Sequence, residues 1–286
     1  MIIVRVWGGI GNQLFEYVFG CYLKEKYNCD VYYDLNTFGK VDKTRSFELD
    51  IIADNLQIVE TNRYFFSKYR GIKNRLLRFC FMLRNKYINE NNFEESKVVN
   101  TNSKIYLEGY WQTAFYASKL SKPLDYYFTP KQPIPFELKE YYEAIDSDNN
   151  SVSLHVRRGD YFMPHNIATY GVCTKAYYSK AIEYLNSELN SINLYIFTDD
   201  ELWVKENIST SVESVMVKSF TNLNDYWYIY LMSKCRHNII SNSSFSWWGA
   251  FLNNNPQKIV VSPDKWTLKS EETIALDNWI KIATHE

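Results

Sequence analysis

The stretch SVSLHVRRGDY, residues 151–161, decides how the chain is read. Over 151–156 it has the character of a short strand; it then changes abruptly to two arginines, a glycine and an aspartate. Arginines at a strand end have two uses. They are solvated or paired for structure, or their planar forks make a clamp for an anion, which open α/β sheets bind beyond the carboxyl ends of their strands. Alternation along the strand puts His155 and Arg157 on one face and sends Arg158 elsewhere, to pair with Asp160 or another acid. The embedded Arg-Gly-Asp is read as incidental rather than as an adhesion signal.

Outward from this stretch, strand-like runs at 193–198, 213–217, 238–241 and 258–262 alternate with helical patterns at 174–187, 222–235 and 245–253. That alternation predicts a parallel sheet flanked by helices. The chain begins in the same way, with a strand at 2–6, a turn at Gly8-Gly9-Ile10-Gly11, a helix capped by Asn12 and continuing from Leu14 to Leu23, and a second strand at Val31-Tyr32-Tyr33. Between the halves, PKQPIPFELKEYYEAIDSDNNS (130–151) combines three prolines, a helical patch and a polar cluster, and reads as a linker. The expected fold class is α/β, with an N-terminal domain over 1–149, a C-terminal Rossmann-like domain over 150–286, and a cleft between them for ligands. No internal repeat or low-complexity segment is visible.

Composition narrows the partners. The net charge of −1, from 32 basic and 33 acidic side chains, gives no global attraction for nucleic acid, so any anion site is local. Aromatic residues make up 17% of the chain, including 24 tyrosines, which suits sugar surfaces as well as cores. Cys21, Cys29, Cys80, Cys173 and Cys235 are scattered and odd in number, and point to a reducing compartment rather than a disulfide framework or zinc site. Met1 leads directly into a strand-like run with no leader pattern, and no stretch approaches the ~18 apolar residues of a spanning helix. The expectation is a cytoplasmic protein. KYRGIKNRLLRFCFMLRNK (68–86) carries seven basic residues and no acid; it reads as an amphipathic helix that packs with a solvated basic face, or touches an anionic membrane from the inner side.

Three further stretches could carry chemistry. SNSSFSWWGAFL (241–252) joins an apolar strand to an apolar helix through hydroxyls and amides, an arrangement that suits phosphate at a helix N-terminus, or ordinary capping by Ser244 or Asn242. FTDD (197–200) ends another strand, where its carboxylates could meet a ribose or a guanine or cap the next helix. GGIGNQ (8–13) allows close backbone approach but is an incomplete dinucleotide fingerprint. Asp146-Ser147-Asp148 nominally matches a metal-binding DxD, yet it sits in the linker with no strand before it; no metal is expected.

Together, HVRRGDY (155–161), GGIGNQLFEY (8–17) and SNSSFSWWGAFL resemble the three signature stretches of the bacterial alpha-1,2-fucosyltransferases of glycosyltransferase family 11, an inverting family that includes the animal blood-group H enzymes. The resemblance runs in order from near residue 5 to near residue 262; about 36–105 contributes no motif. It implies a GT-B-like fold, two Rossmann-like domains with the acceptor largely on the first and GDP-fucose largely on the second. It also implies that Arg157 binds the diphosphate, that Arg158 supports it, and that His155 lines the same wall. Ser243, Ser244 and Phe245 would sit at the phosphate-binding helix start, Asp199 would contact the nucleoside, and Asn12 and Gln13 would face the sugar. No cofactor beyond the donor substrate is implied. Fixed donors aimed at a departing diphosphate can replace a metal, so the expected reaction is metal-independent transfer of fucose to the 2-hydroxyl of a galactose in an oligosaccharide or lipid-linked glycan of a bacterial surface polysaccharide. The general base is left between Asp160, which alternatively holds Arg158 by a salt bridge, and Glu16, one helical turn beyond Asn12. The competing readings are a noncatalytic carbohydrate-binding protein and a metal-dependent transferase using Asp146 and Asp148.

Overall fold

The computed structural model describes residues 1–39, 44–53, 56–59, 86–98, 104–208, 211–268 and 273–284. The chain forms two compact units, Met1–Gln132 and Pro133–Glu286.

The first unit comprises β1 (Ile2–Arg5), α1 (Ile10–Tyr27), β2 (Val31–Asp34), β3 (Ile58–Val59), β4 (Lys86–Asn89), β5 (Ile105–Glu108) and the short helices α2 (Ala114–Ser118) and α3 (Leu124–Phe128). Its sheet runs β3-β2-β1-β5-β4, with every pairing parallel. Strand β1 is buried throughout, as a central strand covered on both faces must be. Gly8 takes a left-handed φ of 77°, which ends β1 in a tight turn, and Gly9 caps α1. Helix α1 therefore begins at Ile10, and Asn12 lies inside its first turn instead of capping it. At the other end Asn28 adopts the left-handed conformation after Lys24 and Lys26, whose charges suit a helix C-terminus. The expected basic helix at 68–86 lies outside the described residues, except that Lys86 opens β4.

The second unit comprises α4 (Phe136–Ser147), β6 (Ser151–Val156), α5 (Pro164–Tyr170), α6 (Lys175–Leu189), β7 (Asn193–Thr198), α7 (Glu201–Asn207), β8 (Glu213–Met216), α8 (Tyr226–Lys234), β9 (His237–Ile239), α9 (Ser244–Phe251), β10 (Val260–Pro263) and β11 (Ile280–Ile282). Its sheet order is β11-β10-β9-β6-β7-β8, again with every pairing parallel. The core gathers Val152, Leu154 and Val156 of β6, Leu194 and Ile196 of β7, and Tyr177, Tyr178, Ala181 and Leu185 of α6. Helix α4, within the stretch expected to be a linker before a boundary at 149/150, packs on α8 and buries Leu138 and Ile145. The compact unit thus begins ahead of it, at Pro133.

Strand β6 pairs with β7 on one side and with β9 on the other. The connections β6 to β7 to β8 step one way and β9 to β10 to β11 step the other, so the topological switch point lies between β6 and β9. In the first unit β1 lies between β2 and β5, and both β1 to β2 to β3 and β4 to β5 step toward the β3 edge.

Candidate active site

At the carboxyl end of β6 the chain enters a 3-10 turn at Gly159–Phe162, and the two arginines part company there. Arg157 Nη2 donates to Asp160 Oδ1 at 2.6 Å, and its Nη1 lies 2.7 Å from Asp199 Oδ2. Asp160 therefore pairs with Arg157, not with Arg158 as one reading of the sequence had it. Arg158 Nε donates to Asp200 Oδ2 at 3.2 Å, and its guanidinium carbon lies 4.0 Å from the Trp203 ring centroid and 4.5 Å from that of Phe162. It is held by one acid and two rings, a geometry only a planar cation fills well.

Asp199 serves both arginines. Besides its ion pair with Arg157, its Oδ1 accepts the Arg158 backbone N–H at 2.8 Å. A Cβ on Gly159 would stand 2.8 Å from Asp199 Oδ2, so glycine permits this approach. Within the unit, Asp199 supports the arginine turn. Asp200 is the side-chain cap of α7, accepting the Trp203 N–H at 3.1 Å.

The second signature reaches the same edge from β9. His155 Nδ1 lies 2.9 Å from Ser241 Oγ, and its ring centroid is 5.3 Å from that of Phe245. Burial, with Arg157 adding to it, pushes the His155 pKa down to about 3, so the ring is neutral. Tyr161 donates its hydroxyl to Asn242 O at 3.0 Å, tying the arginine turn directly to the loop before α9. Ser243, not Ser244 or Asn242, caps α9, its hydroxyl accepting the Phe245 N–H at 3.3 Å. Ser243 is buried, whereas Ser244 and Phe245 are half-buried and reach the surface. At the far end of α9, Lys258 Nζ donates to Ala250 O at 2.8 Å and Phe251 O at 3.3 Å, satisfying carbonyls the helix leaves open, and to Asn253 O just beyond it at 2.6 Å. The structure thus gathers His155, Arg157, Arg158, Asp160, Asp199, Ser243, Ser244 and Phe245 along one sheet edge. Tyr161, Ser241 and Trp203 are further parts of it; Tyr161 and Ser241 stand inside the quoted motifs, Trp203 carries no signal, and Asp200 fills the capping role that FTDD allowed.

The first-unit candidates fare differently. Gln13 is fully buried; it donates to Gly8 O at 2.9 Å and Ser46 O at 2.8 Å and accepts the Glu48 N–H at 3.0 Å. It braces the loop at 46–48 and has no exposed surface. Glu16 is also fully buried, accepting the Trp7 N–H at 3.0 Å while its Oε1 has no partner. Burial holds its carboxyl well above the usual carboxylate range, against the opposing pull of the Trp7 N–H and Arg5. With no exposed surface, this carboxyl offers no contact to an acceptor hydroxyl in the present arrangement. Asn12 stays half-buried, with Gln112 Nε2 donating to its Oδ1 at 2.8 Å. Of the DxD pair, Asp146 is exposed on α4, and Asp148 accepts from the Asn150 N–H and the Asn193 side chain, holding a strand start. Among the described residues no cluster of three His, Cys, Asp or Glu could hold a metal ion, and no helix is long and apolar enough to cross a membrane.

The arrangement is that of an anion-binding sheet edge: arginine forks after β6 and a helix N-terminus after β9, flanking a switch point. The chain is 31% identical over 297 residues to an alpha-1,2-colitosyltransferase of Escherichia coli, covering 99% of each chain. It is 31% identical over 301 residues to the O-antigen biosynthesis glycosyltransferase WbnK of Escherichia coli, covering 96% of this chain and 98% of that one. In fold it resembles the crystal structure of the fucosyltransferase NodZ from Bradyrhizobium, at a TM-score of 0.53, 13% identity and coverage of 87% of this chain and 91% of that chain; NodZ has also been solved soaked with GDP-fucose. Two parallel Rossmann-like α/β units are the architecture of GT-B glycosyltransferases. A family model described as glycosyl transferase family 11 matches residues 52–283, and since this is most of the chain and two relatives match it nearly end to end, the protein is an enzyme of glycosyl transferase family 11.

Proposed function

We propose that this enzyme transfers L-fucose from GDP-fucose to the 2-hydroxyl of a galactose residue in an oligosaccharide, with inversion and without a metal ion, in the synthesis of a bacterial surface polysaccharide. The observation that carries the reading is the meeting of the Arg157 turn with the start of α9 across the β6/β9 switch point, joined by Tyr161 and Asn242. Likeness to an alpha-1,2-colitosyltransferase and to an O-antigen glycosyltransferase supports the linkage and the setting.

In this reading the second unit holds the donor. As the bond from the sugar's anomeric carbon to the β-phosphate oxygen breaks, negative charge grows on GDP, and the Arg157 guanidinium and the α9 N-terminus are fixed in advance to receive it. The galactose 2-hydroxyl attacks from the opposite face and gives up its proton. With Glu16 fully buried, Asp160 is the proposed acceptor of that proton; its ion pair to Arg157 keeps it at the strand end. The basic stretch 68–86 suits a peripheral position at the inner face of a membrane, where lipid-linked acceptors are held.

The colitosyltransferase likeness supports a second donor. Colitose is L-fucose without its 3-hydroxyl, so both donors present the same GDP to the second unit. The test is release of GDP from GDP-fucose, GDP-colitose and GDP-mannose, in excess EDTA, with and without a galactose-terminated acceptor, followed by NMR of the product linkage. Acceptor-stimulated release from GDP-fucose and an alpha-1,2 product are expected. Release from GDP-colitose alone would replace the donor, and release from none, even with divalent metal restored, would overturn the proposed donor and acceptor.

A further inference from the structure

Helix α9 ends without a common device for stopping a helix. Among the described residues other than glycine, those with positive φ are Asn28, Trp111 and Asn190; Asn28 closes α1 and Asn190 closes α6. None lies between Leu252, which follows α9 at a φ of −78°, and Lys258. A left-handed residue after a helix turns N–H groups back onto its open carbonyls, so at α9 that task falls to another group.

Lys258 takes it. Its Nζ donates to Ala250 O, Phe251 O and Asn253 O, one carbonyl for each proton of an ammonium. The intervening residues build this approach. Asn253 Nδ2 donates to Cys235 O and to Asn238 Oδ1, both at 2.8 Å, and holds the chain against β9. Asn255 Nδ2 donates to Arg236 O at 2.9 Å, and the Lys258 N–H donates to Asn255 O at 3.1 Å, closing a turn that returns the side chain to the helix.

Carbonyls at a helix end point along its axis, so bonds to them resist axial movement of α9. Sideways movement is resisted elsewhere: Trp247 and Trp248 are fully buried, and a Cβ on Gly249 would stand 2.7 Å from Met232 Cβ of α8. Eight residues make a rod of about 12 Å, short enough for a shift at Phe251 to reach Ser244. At that end Ser241 Oγ lies 3.5 Å from Ser246 Oγ and 2.9 Å from His155 Nδ1, which joins the helix start to the arginine strand.

The clamp depends on charge. Burial pushes the Lys258 pKa down to about 8. A neutral amine keeps two N–H groups and gains a lone pair, so one of the carbonyls loses its bond and faces that pair. The neighbouring titratable groups are committed otherwise. Arg236 Nη2 donates to Asn149 Oδ1 at 2.9 Å, Lys234 Nζ lies 4.7 Å from the Tyr230 ring centroid, and burial holds the Cys235 thiol well above its usual range. His237 Nδ1 accepts the Ile259 N–H at 3.0 Å, and burial and Arg236 hold its pKa below the usual 6.5, so it is neutral at pH 7.

We propose that Lys258 is a positioning residue for the transfer reaction: by clamping the carbonyl end of α9 it fixes the helix along its axis and sets where the Ser243–Phe245 end meets the donor diphosphate. This rests on the transferase reading above. The test is calorimetric titration of the full chain with GDP, from about pH 6.5 to about pH 9.5, in the parent, Lys258→Met and Lys258→Arg. Each variant's dissociation constant is taken as a ratio to the parent's, in which the ionisations of GDP itself cancel. At pH 7, Lys258→Met should bind about tenfold more weakly than the parent, and Lys258→Arg, which keeps the charge, within about threefold. As the pH rises through about 8 the parent should lose its advantage over Lys258→Met and weaken relative to Lys258→Arg. Parental affinity in Lys258→Met at pH 7, or a deficit that stays constant with pH, overturns the positioning role and leaves a cap that only stabilises the fold. If Lys258→Met fails to fold, the ratio of Lys258→Arg to parent decides, and its independence of pH refutes the proposal. Flat ratios with tight GDP binding sink the positioning role alone, whereas no GDP binding by the parent at any pH sinks the transferase reading and the positioning role with it.

Discussion

Arg157→Ala tests the diphosphate clamp most directly. In the free enzyme this guanidinium is shared by Asp160 and Asp199 at 2.6 and 2.7 Å, with its side chain 21% exposed. A diphosphate taking two of its N–H groups would gain charge-assisted bonds of roughly 1.5–3 kcal/mol each. Competition from the two carboxylates and partial solvent access argue for the lower end, about 3 kcal/mol in all, or about a hundredfold in the GDP dissociation constant. The variant also leaves three carboxylates, Asp160, Asp199 and Asp200, facing the single cation Arg158, so part of any loss could come from repulsion. A triple variant, Arg157→Ala with Asp160→Asn and Asp199→Asn, separates these contributions. Calorimetric titration with GDP should show a loss of about a hundredfold for Arg157→Ala, with only partial recovery in the triple variant. Full recovery would assign the effect to repulsion, and an Arg157→Ala dissociation constant within about threefold of the parent would refute the clamp and leave Arg157 as a structural tie.

Other substitutions probe the supports. In Gly159→Ala the new methyl would stand 2.8 Å from Asp199 Oδ2 and force that carboxylate off both arginines; GDP affinity should fall by about tenfold, and unchanged affinity would show that Asp199 is dispensable. His155 is neutral in the folded state, with its pKa pushed down from 6.5 to about 3, so the unfolded chain binds the extra proton between those values and stability falls as pH drops through that window. The full effect is up to about 5 kcal/mol, and His155→Gln should flatten the stability profile from urea unfolding over the same range; an unaltered slope would mean that another group dominates acid unfolding. Glu16 has the opposite linkage: a carboxyl held protonated when folded costs stability as pH rises above its unfolded value of about 4.5. Glu16→Gln should therefore gain stability relative to the parent as pH rises from 5 to 8 while keeping its turnover, and a large loss of turnover would restore Glu16 as a base candidate.

The second unit is the more legible of the two because its central strands are apolar runs whose ends carry conspicuous charge: β6, buried throughout, and β7, buried but for its two end residues, fall where the apolar pattern put them. The first unit hides β4, four residues long, inside a stretch with no recognisable motif, and β5, also four residues, begins where that stretch ends. The start of α1 is not legible because Asn12 is a good cap by type, while the cap is Gly9, three residues earlier, after the turn at Gly8. Helix α4 was absorbed into a linker because its prolines dominate the local signal, although Leu138 and Ile145 carry the periodicity of a packed face. Partnerships were the least legible feature. That Asp199 would hold Arg157 depends on β7 lying beside β6, and that Gln13 would point into a loop at 46–48 depends on chain far from it in sequence. A tryptophan in a left-handed turn contradicts local preference and leaves no sequence signal.

The placement of β9 beside β6 has a consequence for synthesis. Residues that meet across this seam, such as Asn238, which donates to Ser153 Oγ at 2.7 Å, are 85 positions apart in the chain. While the polypeptide emerges from the ribosome, β6 can acquire β7 and β8 early, but one flank of its hydrogen-bonding backbone stays open until β9 is made. An uncovered central strand is a hazard for pairing with other chains. The same late segment carries the loop and helix that complete the proposed phosphate edge. A truncation before residue 237 should therefore yield an aggregating nascent chain, not a folded enzyme that merely lacks its donor, and the timing of the last fifth of translation should govern soluble yield.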